Sequence, residues 1–168
     1  MKLVIKQKAF SWVDSYDVYD ENGNVVFTIK GQISWGHCLK VFSDGREVAR
    51  IKEKLVALLP RYDMYIDDKF KGYVRKELTL LRPRFSVSPI GWKVKGNPWE
   101  LDYAITDKLD KTVAVVKKGI FNLTDTYTID ITDETNCLQV VLTVLAVDIE
   151  KGERESSKMA AHYKKYND

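Results

Sequence analysis

The residues of this sequence best placed to do chemistry are cations. Lys69, Lys71, Arg75, Lys76, Arg82 and Arg84 crowd a short stretch that holds one acid, Glu77. A surface of that kind holds an anionic headgroup or a membrane, at roughly 1 kcal/mol per cation near an anionic bilayer. Arg75, Lys76, Arg82 and Arg84 are therefore the candidate ligand-binding residues. The excess is local, because the whole chain of 168 residues carries a net charge of only +3. That balance lacks the one-sided basic surplus of a nucleic-acid partner.

Other constellations fail on spacing. The two histidines, His37 and His162, have no motif-supported Cys or Ser neighbour, and no G-x-S-x-G or phosphate loop occurs. Cys38 and Cys137 stand far apart with no C-x-x-C pair, which reads as two buried, reduced thiols in a cytoplasmic protein. Asp14, Asp17, Asp20, Asn22 and Asn24 resemble a calcium loop superficially but miss its template, so turn chemistry accounts for them. No catalytic residue, metal or cofactor is expected.

The elements that must position the cations come from an internal repeat. Ile5, Ile51, Val74 and Val116 are each followed eleven residues later by Tyr16, Tyr62, Phe85 and Tyr127. Weaker copies place Leu39 and Tyr103 in the same role, so the aligned positions are 16, 39, 62, 85, 103 and 127, mostly 23 residues apart. Each unit reads as a hairpin: alternating apolar and polar residues flank a turn such as Glu21-Asn22-Gly23-Asn24 or Ser43-Asp44-Gly45. Five hairpins, with a half-unit at Lys2–Gln7 and another at Tyr127–Ile131, give twelve strands. Pairing the two half-units removes both open edges, so the expected fold is a closed, mostly β, antiparallel barrel.

A barrel that wide needs a filling, since about eight strands already close a packed interior. The run Cys137–Ile149 supplies it, as a helix over about residues 136–149. Its β-branched Val140, Val141, Thr143, Val144, Val147 and Ile149 lean towards strand, but the repeat ends at Ile131. At 13 residues, with Gln139, Thr143 and Asp148 inside it, the run is too short and too polar for a membrane span of about 20. Residues 1–150 are thus expected to form one barrel with its core helix. Residues 151–168 are expected to form a polar tail or a short separate helix, with Gly152 as the stop.

Ile5-Lys6-Gln7-Lys8, Leu58-Leu59-Pro60-Arg61-Tyr62, Asp125-Thr126-Tyr127 and the apolar run after them resemble the LURP-one-related family over about residues 2–150. The resemblance implies a tubby-like fold, a twelve-stranded barrel around a hydrophobic C-terminal helix, shared with phospholipid scramblases. Tubby domains bind phosphoinositide headgroups, but their lipid-binding residues have no match here, nor does the calcium-binding segment of scramblases. The resemblance implies a binding or scaffold module of unestablished role rather than an enzyme.

Alternation adds one expectation. A cation follows the aligned aliphatic in every unit: Lys6, Lys30, Lys52, Arg75, Lys95 and Lys117. These should face outwards in a belt, thickened by Lys8, Lys54, Lys76 and Lys118. Outward lysines also serve solubility and arise automatically by duplication. Trp12, Trp35, Trp92 and Trp99, in or near connectors, should pack the barrel ends. The expected partner is anionic phospholipid or a membrane surface, met by a cytoplasmic, membrane-peripheral protein. The alternatives are a small-ligand enzyme or a protein-interaction module using a barrel end or the tail.

Overall fold

The turns set the hairpins. Asp20 folds its carboxylate over its own turn, accepting from the backbone N–H of Asn22 (2.9 Å) and Asn24 (2.8 Å). Asp107 repeats the arrangement with Leu109 (2.8 Å) and Lys111 (2.9 Å). Two other turns are two-residue loops with both residues at positive φ, Asp44-Gly45 and Asp67-Asp68, the backbone that matches strand twist.

The computed structural model describes residues 1–7, 15–32, 34–79, 83–119 and 125–167. The strands are β1 (Lys2–Gln7), β2 (Ser15–Asp20), β3 (Val25–Gly31), β4 (Cys38–Ser43), β5 (Arg46–Glu53) and β6 (Arg61–Ile66). They continue as β7 (Lys69–Glu77), β8 (Arg84–Ser88), β9 (Trp92–Asn97), β10 (Asp102–Thr106), β11 (Thr112–Lys118) and β12 (Asp125–Ile131). Every neighbouring pair is antiparallel, and β1 pairs with both β2 and β12, so the sheet closes as the half-units require. The ladder runs one step further, where Ile131 N–H donates to Met1 O at 2.8 Å.

The repeat reaches finer detail than strand limits. In four hairpins the register slips two residues after the aligned position: at Val18/Tyr19, Val41/Phe42, Met64/Tyr65 and Ile105/Thr106. Such bulges increase local twist, which helps a sheet to close.

Helix α1 (Cys137–Asn167) enters after a 3-10 turn, Glu134–Asn136, capped by Asp133, whose carboxylate accepts from Thr135 N–H at 3.0 Å. Residues 140–150 are all buried, β-branched ones included, so burial on every side overrides propensity. The helix does not stop at Gly152: it runs unbroken for 31 residues, about 46 Å at 1.5 Å per residue. A mid-helix glycine costs about 1 kcal/mol. Contacts beyond it offset that cost: Lys151 to Glu155 (3.6 Å), Glu153 to His37 (3.1 Å) and the Arg154 guanidinium 5.2 Å from the Trp99 ring centroid.

Two acids ride inside the barrel on α1. Asp148 accepts a hydrogen bond from the Tyr127 hydroxyl, and its charge also acts on the buried phenols of Tyr16 and Tyr103. Glu150 accepts from Tyr62 Oη and from Lys76 Nζ, both at 2.7 Å. Tyr16, Tyr62, Tyr103 and Tyr127 are four of the six aligned repeat positions. One level of the repeat therefore supplies a hydroxyl donor to each acid, Tyr127 to Asp148 and Tyr62 to Glu150.

Burial pushes the Asp148 carboxyl up from 3.8 to about 7, against the bond from Tyr127. Between those values the unfolded chain is ionised while the fold still holds the proton. Stability from this group is complete below about pH 4, falls as pH rises and levels off above 7. Asp148→Asn should match the wild type in acid and exceed it at pH 8 by on the order of 3–4 kcal/mol in urea unfolding. A gap that stays constant with pH would remove Asp148 as the cause. Lys76→Met should cost about 1–3 kcal/mol by stranding the buried Glu150, and Glu150→Gln in the same chain should recover most of it. Additive losses in that double-mutant cycle would show the pair to be uncoupled.

Candidate functional site

The predicted cations are divided between two faces of the wall. On β7, Gly72 and Val74 are buried, so alternation turns Lys76 inwards with them, where its ammonium meets Glu150. Lys76 therefore leaves the outer belt that its neighbours form. Arg75 faces out and is exposed, and so is Arg84. Arg82 lies outside the described residues, as do Lys8, Trp12 and Asp14.

Arg75 and Arg84 share the outer face with two cations of β9. Cross-strand pairing aligns Arg75 with Ser86 and Ser86 with Lys93, and places Glu77 beside Arg84 one step along. Lys93 and Lys95 are exposed, because Trp92 and Val94 between them are buried. That alternation, Trp92-Lys93-Val94-Lys95, was the signal for Lys93, which motif reasoning missed. Lys95 reaches Asp110 at 2.6 Å, and the bond, with help from Lys93, holds the Asp110 carboxyl below its usual range. The pair is exposed and leaves the face mostly uncompensated.

Here the barrel wall opens. β8 and β9 pair at Val87↔Trp92, Ser86↔Lys93 and Phe85↔Val94 and stop, whereas β7 holds β8 as far as Glu77↔Arg84 and β10 holds β9 as far as Asp102↔Asn97. Gly96 lets β9 approach β10 closely. At φ +124° a side chain there would sit 2.6 Å from Asp102 O, so the glycine backbone packs close onto β10. The gap is a groove of about 510 Å³, lined by Glu77, Arg84, Lys93 and Lys95 over Phe85 and Gly96. It falls in the one irregular repeat, where 18 residues separate Phe85 from Tyr103.

The belt itself is real: Lys6, Lys30, Lys52, Arg75, Lys95 and Lys117 are all exposed. Elsewhere two of its members lie over rings, Lys6 over Tyr19 at 4.6 Å and Lys30 over Phe42 at 4.9 Å. The tryptophans differ from one another. Trp92 is core and Trp99 stacks edge-on against Phe85, as expected, but Trp35 stands 90% exposed. Cys38 and Cys137 are buried and unbridged, and burial pushes the Cys137 thiol up to about 11. Among the described residues no helix is long and apolar enough to cross a membrane.

Comparison with known proteins agrees with this architecture. The chain is 31% identical to an uncharacterised protein of Bacillus subtilis (strain 168), YxjI, over 151 residues, covering 89% of this chain and 93% of the relative. It superposes on the X-ray structure of a protein from Arabidopsis thaliana with a TM-score of 0.60 at 15% identity, over 88% of this chain and 90% of the other, which speaks for the fold alone. The family model described as LURP-one-related matches residues 1–148. With its twelve-stranded tubby-like barrel and central helix, the chain belongs to the LURP-one-related family.

Proposed function

We propose that this protein is a non-enzymatic binding module that docks on anionic membrane surfaces through the outer groove between β8 and β9. The observation that carries the reading is the opening of the ladder at Arg84, where Arg84, Lys93 and Lys95 line one cleft with Glu77, and Asp110 pairs with Lys95 beside it. Arg75 extends the same cationic face by one row. A phosphate group in that cleft would meet three cationic side chains, the chemistry that attracts lipid headgroups. Its two buried, unbridged thiols suit a protein of the reducing cytoplasm that visits the membrane from its periphery.

Co-sedimentation at low salt tests the reading. The protein should pellet with vesicles containing phosphoinositide and stay soluble with pure phosphatidylcholine. Each cation removed should weaken binding about fivefold. Arg84→Ala with Lys93→Ala and Lys95→Ala should therefore weaken it by about a hundredfold at most, since Asp110 already draws on Lys95. The matched variant Lys6→Ala, Lys30→Ala, Lys117→Ala, from the same belt elsewhere, should change it far less. Equal recovery on neutral and anionic vesicles, or equal losses in the two variants, would sink the groove as the docking site.

A further inference from the structure

α1 emerges from the barrel beside His37, Tyr62 and Lys76, at the end where β3, β5 and β7 finish and β4, β6 and β8 begin. The four most exposed large hydrophobics among the described residues all stand on that rim. They are Leu58, fully exposed, Trp35 and Val56 at 90%, and Leu78 at 87%. Leu55, just over half exposed, joins two of the connectors: a Cβ on Gly36 would lie 2.9 Å from its Cδ2. An apolar patch of this kind on a folded chain marks an interaction surface.

We infer that this rim inserts into a lipid bilayer, with Trp35, Leu55, Val56, Leu58 and Leu78 as the penetrating side chains. Trp35, Val56, Leu58 and Leu78 project almost wholly into solvent, and Leu55 bridges the connectors that carry the first three. The surroundings carry the charge an anionic bilayer attracts. Lys52 and Lys54 are exposed beside Leu55, and Leu78 directly follows Glu77 at the edge of the cationic groove. A tryptophan among the tips suits the interfacial depth that its ring prefers. In the ring these connectors run from β3–β4 to β7–β8, so a bilayer beneath β5 and β6 meets them with the barrel axis along the membrane, which leaves the projecting half of α1 beside the surface. The inference deepens the membrane reading above and takes its partner from it, but it concerns different residues and a different force.

Salt separates the two. With vesicles of equal parts phosphatidylcholine and phosphatidylserine, high salt screens the groove and leaves the apolar contribution. Leu55→Ser with Val56→Ser and Leu58→Ser should lose at least tenfold of the binding that survives high salt, while retaining the anionic preference at low salt. Brominated lipid should quench a fraction of the fluorescence that disappears in Trp35→Phe. All of these positions are exposed, and an unchanged far-ultraviolet circular dichroism spectrum checks the fold. If the rim variant binds like the wild type at both salts and Trp35→Phe leaves the quenching unchanged, the inference is wrong. It is equally wrong if the substitutions convert a dimer into a monomer in solution, since the patch would then face a second copy of the chain. If instead the groove reading alone fails, the groove variant binds normally and the salt-resistant, rim-dependent part persists.

Discussion

The hydrogen bond from the Tyr127 hydroxyl to Asp148 decides where the helix can sit. An apolar rod in an apolar barrel has many positions of similar energy, because burial is non-directional. A buried carboxylate removes that freedom, since every position that leaves it without a donor carries a large penalty. Glu150 adds a second key through Tyr62 and Lys76. Two residues turn a helix by about 200°, so the two acids grip nearly opposite sides and fix rotation as well as depth. Glu153 then arrives at His37 and Arg154 at Trp99, and the exposed half of α1 leaves the barrel in a set direction.

Much of this frame was legible. Twelve strands, their closure through the two half-units and the core helix follow from a 23-residue period and from the width of the barrel it builds. Two things were not. Gly152 looked like a stop, because the contacts of Glu153 and Arg154 that carry the helix past it depend on His37 and Trp99, more than fifty positions away in sequence. The tyrosines at the aligned positions served only as markers of the period. Their hydroxyls became meaningful once the register put them level with Asp148 and Glu150.

The candidate site was half legible, for a physical reason. Counting cations along one segment found Arg75 and Arg84 but mixed both faces of a strand, so it included Lys76, which belongs to the interior. Counting across strands would have found Lys93 and would have brought Lys95 of the belt into the same site. The opening between β8 and β9 has only a faint trace in the sequence: an 18-residue interval and a glycine at position 96. Duplication gave the wall a uniform belt of positive charge. Where the period falters, cations of two neighbouring strands border one cleft.

Closure of the ring through β1 and β12 also bears on the rate of folding. Met1 and Ile131 hydrogen-bond to each other across 130 positions of chain, and the helix that fills the barrel comes after both. Most contacts between hairpin neighbours are local, but the seam and the filling are among the most distant in the chain. Both joints are therefore non-local, so the entropy of closing a long chain is lost before their contacts form, and pairing of that kind is slow.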